Sequence, residues 1–181
     1  MSTSEEEERY FARQNADARE RIRQELEASA KKAADARAMA ETLGTDREAV
    51  IARLQAMGFD ADKVQVFDLL PLVYVAWADG TVQQAERRAI LEVLQTRGIA
   101  PDSEPWLLIE ALLETRPSDT FLQEMLSLLQ EIVGESADRA DDILGYCEKV
   151  AGAHGPLFGL LGTVSAEEKD VMARIARALG R

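Results

Sequence analysis

One stretch of this 181-residue chain, Val75-Ala76-Trp77-Ala78-Asp79-Gly80-Thr81-Val82-Gln83-Gln84-Ala85-Glu86, is used twice in altered form. An apolar segment runs into Asp79-Gly80, turns, and leaves as a second segment with Glu86 in its first turn. Asp-Gly makes a turn because glycine accepts positive φ and the aspartate side chain bonds nearby backbone. Near the C-terminus, Val150-Ala151-Gly152-Ala153-His154-Gly155 and Thr163-Val164-Ser165-Ala166-Glu167-Glu168-Lys169 repeat the pattern. Placing His154-Gly155 on Asp79-Gly80 and Thr163-Val164 on Thr81-Val82 brings Glu168 onto Glu86. The copies then differ mainly by one inserted stretch, Pro156 to Gly162. A duplicated helix-turn-helix commits the chain to two similar helical halves. Scarce β-branched runs and 6% aromatics agree, so the expected class is all-α.

The segment Asp79 to Glu86 overlays the last eight positions of a calcium-binding loop, including its glycine and terminal glutamate. Val75 and Trp77 stand where the early aspartate ligands belong, so half a loop is present. Asp79 and Glu86, joined by Glu168 from the other half, are the candidate ligands for a weakly held divalent cation, calcium or magnesium. Capping offers a plainer account. Ser165-x-x-Glu168 is a capping box, and Glu86 sits equivalently after Gln83, a poorer cap.

The pattern Ala78-Asp79-Gly80-x-Val82-x-x-x-Glu86-x-x-x-Ile90, preceded by an apolar helix and repeated near the C-terminus, resembles the tellurite-resistance TerB family. The likeness runs over roughly residues 46–181. It implies a helical domain of two pseudo-symmetric halves, association with a divalent metal through acidic residues, and a stress-linked or membrane-associated protein assembly rather than catalysis. His154 departs from the pattern, standing where the second copy would have an aspartate.

Residues 1–45 form an expected N-terminal helical interaction arm, and residues 46–181 a domain expected to fold alone. Ser4-Glu5-Glu6-Glu7 has the form of a capping box, and no Gly or Pro intervenes before Gly44. Phe11, Ala18, Ile22, Leu26, Ala30, Ala33, Met39, Ala40 and Leu43 make a narrow, alanine-rich stripe. Within the arm, Glu6-Glu7-Glu8-Arg9-Tyr10-Phe11 resembles the inhibitory segment of the mitochondrial ATPase inhibitor. That resemblance implies a helix inserted into a rotary ATPase, with Glu7, Glu8 and Arg9 as polar contacts and Tyr10 and Phe11 as apolar anchors. Alternatively, Tyr10 and Phe11 dock the arm onto its own domain.

Inside the domain, Val50, Ile51 and Leu54 give the next helix a buried face, closed by Gly58 and a packed Phe59. Asp62 to Ala78 reads as one central helix, apolar nearly all round and therefore buried. Pro71 kinks it unless Asp68 caps a restart, which puts Pro71 in a first turn. Amphipathic helices follow over 84–97, 106–115, 118–133, 136–152 and 166–179.

Net charge is −12. Residues 1–45 hold 10 acidic and 8 basic side chains, the remainder 23 and 13, so the acidity belongs to the domain. Such a field repels nucleic-acid phosphates. Cys147 is the single cysteine and His154 the single histidine, two donors where zinc needs four. No phosphate loop or dinucleotide fingerprint occurs, and no enzyme class finds support. With an acidic N-terminus unlike a secretory signal and no long apolar run, the expectation is a cytoplasmic protein that does not insert into membranes.

Overall fold

A computed structural model describes the backbone of residues 3–133, 136–154 and 164–181, and the side chains of residues 9–133, 136–153 and 164–181. The Pro156–Gly162 insert and the side chains of Glu7, Glu8 and His154 lie outside the described residues. The described elements are α1 (Thr3–Leu43), α2 (Glu48–Ala56), a 3-10 segment (Lys63–Leu69), α3 (Leu70–Ala76), α4 (Gln84–Thr96), α5 (Glu104–Glu114), α6 (Asp119–Val133), α7 (Ala137–Ala151), a 3-10 turn (Gly152–His154) and α8 (Ala166–Ala178). No strand occurs among the described residues. The all-helical expectation holds.

The packing follows the repeat. The first turn unit contributes α3 and α4, the second α7 and α8. The inner helices α3 and α7 lie against each other, while α4 packs on α7 and α8 packs on α3. Exchanging the halves maps each of these contacts onto another, so the two units pack with pseudo-two-fold symmetry. Buried side chains of the central segment, Val66, Phe67, Leu69, Leu70, Leu72 and Val73, are at most 1% exposed.

The expected single helix from Asp62 to Ala78 is divided. Pro71 has no N–H and its ring clashes with the carbonyl four residues back, that of Phe67. The chain resolves this by running as a 3-10 segment to Leu69, with the Leu70 N–H donating to the Phe67 carbonyl. Pro71 then falls in the first turn of α3. Asp68 does not cap this restart; its carboxylate is engaged elsewhere.

Helix α1 has 41 residues, about 60 Å at 1.5 Å per residue. Its last turns belong to the core: Met39 is 0% and Leu43 2% exposed, beside Ala36 and Ala40. Gly44, at φ 67°, ends the helix. Before Asp35 the described side chains are exposed, with Ala18 partly so. Tyr10 (59% exposed) and Phe11 (60%) touch each other edge to face with centroids 5.9 Å apart. The alternative in which they dock the arm onto its own domain is therefore overturned. The arm is one uninterrupted helix, and residue 11 lies about 40 Å along it from the seated turns.

Candidate functional site

The turn between α3 and α4 is built from its own sequence. Gly80 takes φ 92°, open to glycine alone without strain, and its N–H donates to the Trp77 carbonyl at 3.0 Å. Asp79 is exposed, and its Oδ1 accepts from the Thr81 N–H (2.9 Å) and hydroxyl (3.3 Å). Trp77 anchors the unit sideways, its indole N–H donating to the Leu112 carbonyl at 2.9 Å. Glu86 then reaches back from α4, its Oε2 accepting from the Gln83 N–H at 2.8 Å.

The second copy makes the same closing bond. Glu168 Oε2 accepts from the Ser165 N–H at 2.6 Å, while the Glu168 N–H donates to Ser165 Oγ at 3.0 Å. Glu86 and Glu168 are 2% and 5% exposed. Each satisfies a backbone donor at a helix N-terminus, where a carboxylate is also favoured by the helix dipole.

Asp79 at the surface and the two buried glutamates do not form one donor set among the described residues. The carboxylates that meet, with oxygens within 4.8 Å of one another, are those of Asp60, Asp62 and Glu104. Two of the three already pair with a side-chain cation. Lys63 bonds Asp60 and lies 3.2 Å from Glu104. Desolvation alone raises the Asp60 pKa, but its hydrogen bonds with Lys63 outweigh that effect and hold it below the usual range.

Sequence reasoning missed a largely buried ion pair. Arg139 on α7 grips Asp68 with both arms of its guanidinium, Nε to Oδ2 and Nη2 to Oδ1, each at 2.7 Å. Its Nη1 donates to the Leu43 carbonyl at 2.9 Å, and Arg97, just past the end of α4, approaches Asp68 at 3.9 Å. One arginine thus joins the end of α1, the central segment and the second half. The only sequence signal was an acid within the apolar run Val66-Phe67-Asp68-Leu69-Leu70. A second clamp holds α2 to α6. Arg53 bonds Glu131, and its Nε lies 2.7 Å from Glu124. These partners raise the Arg53 pKa.

No catalytic set emerges among the described residues. Cys147 is fully buried, and burial pushes its thiol pKa up to about 12, far from a reactive thiolate. A groove of about 770 Å³ lies between α3, α6 and α8. Its floor includes Tyr74, Trp77 and Leu126, and Arg174 on its wall pairs with Asp170 at 2.7 Å. Among the described residues, no cysteine lines it.

No curated protein and no solved structure matches the chain. The family model of tellurite resistance protein TerB matches residues 68–181. It begins at Asp68, the residue held by Arg139, and takes in both turn units with their capping glutamates, leaving α1 and α2 outside. With well over half its length matched, the chain belongs to the TerB family.

Proposed function

We propose that this TerB-family chain is a non-enzymatic adaptor of a tellurite-type stress response, its two-half domain serving as scaffold and α1 as the element that binds protein partners. The observation that supports this reading is the outer part of α1, where Tyr10, Phe11, Ile22 and Leu26 are each more than half exposed. Large apolar side chains set along one projecting helix mark a contact surface. Glu7, Glu8, Arg9, Tyr10 and Phe11 form its tip.

Capture from native lysate by the full-length protein is the test. Tyr10→Ala with Phe11→Ala should remove most captured partners, because aromatic anchors carry about 2 kcal/mol or more of binding. The melting temperature should stay put, since neither ring touches the core. Unchanged capture would reject the arm as the working part. The exposed aromatic tip also favours a second reading, regulation of a rotary ATP synthase by the arm. On that reading the wild type slows ATP hydrolysis by the purified ATPase and the double variant does not.

In this proposal Asp79, Glu86 and Glu168 serve the turns rather than a cation. Millimolar calcium or magnesium is expected to leave the melting temperature unmoved. A bound ion at 100 times its dissociation constant adds about 2.7 kcal/mol, a readily seen rise. Such a rise, abolished by Asp79→Asn, would give these acids a metal role after all.

A further inference from the structure

Beside the face of α1 that seats Met39 and Leu43, a second line of side chains runs the length of the helix. At about 100° per residue, Phe11, Ala18, Ile22, Leu26, Ala33 and Ala40 lie within about 40° of a single line along the helix. Ala40 packs against the core, whereas Phe11, Ile22 and Leu26 face solvent. A stripe of this kind needs a cover, and the order of sizes along it says which.

Laid antiparallel on a second copy of itself about Ile22, the stripe is self-complementary. Ile22 meets Ile22, Leu26 meets Ala18, Phe11 meets Ala33, and the polar Asn15 meets Ser29. Large residues thus fall on small ones in each unlike layer, as close packing requires. On the flanks Glu25 comes beside Arg21, twice by symmetry. Arg19 and Arg23 are the one like-charged approach. The same register delivers Phe11 to the mouth of an apolar-floored groove between α1 and α2, whose lining includes Ala33, Ala36, Ala40, Ile51 and Ala52.

We infer that the bare stripe of α1 is covered by the α1 of a second copy of this chain, antiparallel and two-fold symmetric about Ile22. The pairing is isologous, so it closes at two copies and leaves no repeating edge. It rests on the reading of α1 as the interaction element and names that element's first partner. The aromatic tip of each copy would then sit beside the other's domain, and Tyr10, well off the stripe, remains outward.

The experiment uses full-length purified protein. Light scattering should give twice the 20.0 kDa chain mass, and Ile22→Asp, which sets like charges on the axis, should weaken the pair by at least about tenfold. Asn15 and Ser29 are exposed, so Asn15→Cys and Ser29→Cys leave folding intact. Buried Cys147 does not compete for oxidation. Under mild oxidation a mixture of the two variants should form a mixed disulfide dimer, because residues 15 and 29 share a layer. Asn15→Cys alone should not, since the two copies of residue 15 lie about 20 Å apart along the pair. A monomeric wild type, a mixture that fails to cross-link, or dimers from Asn15→Cys alone would overturn the pairing. A monomer that still captures partners through Tyr10 and Phe11 would overturn it while leaving the adaptor reading in place.

Discussion

Arg139→Ala is expected to destabilise the protein by about 3–5 kcal/mol, the usual result of stripping one partner from a buried ion pair. The cost arises at Asp68. Its carboxylate is largely buried and takes two charge-assisted bonds from Arg139, with Arg97 a loose third contact at 3.9 Å. Arg97 is too distant to replace the bidentate grip, so the acid is left charged and poorly solvated. At roughly 2–4 °C per kcal/mol for a chain of this size, the melting temperature should fall by about 6–20 °C. Asp68→Asn with Arg139→Met should recover much of the loss, because replacing both partners leaves no orphaned charge. Thermal melts by circular dichroism decide it. A single variant that melts like wild type would mean that Asp68 is hydrated and the pair contributes little.

Truncation gives the second large effect, and its size depends on where the cut falls. Removing residues 1–32 should change the melting temperature of the separated chain little, since every described side chain it deletes is exposed within its own chain or, for Ala18, small and half-exposed. Removing residues 1–45 takes away Met39 and Leu43, which are 0% and 2% exposed. Losing a buried Met or Leu costs about 2–5 kcal/mol each. The same cut strips Arg139 of the Leu43 carbonyl that one of its N–H groups bonds. Against a typical total of about 5–15 kcal/mol, residues 46–181 alone should be marginal or molten. A cooperative melt of that fragment within a few degrees of wild type would show that the core closes without α1.

These expectations separate what was legible in the residues from what was not. The turn units could be read directly because everything that makes them is local. Asp79-Gly80 bends the chain, Thr81 satisfies the aspartate, and Glu86 and Glu168 close back three residues onto Gln83 and Ser165. Spacings of one to three residues are visible in a string of letters. Helical periodicity is equally local, and the later helices fall within two residues of their expected ends. The repeat, being a repeat, also carried the two-half architecture.

Only the tertiary structure could settle matters between residues far apart in the chain. Asp68 offered two uses, a cap for the restart at Pro71 or a partner elsewhere, and the arginine that claims it lies 71 residues away. The break before α3 needed no cap once the 3-10 segment relieved the clash at Phe67. The candidate cation ligands looked close because the repeat aligns them. In the fold the caps bury two and leave Asp79 at the surface, while the acids that do gather around Lys63 come from segments with no shared motif. The arm shows the same division. Its sequence determines a helix and a stripe, but periodicity cannot say which length of a stripe is covered. The core accepts Met39 and Leu43 and ends there, because the domain reaches only the last turns of a helix about 60 Å long. What lies beyond is set by geometry alone, and it leaves Phe11, Ile22 and Leu26 facing solvent.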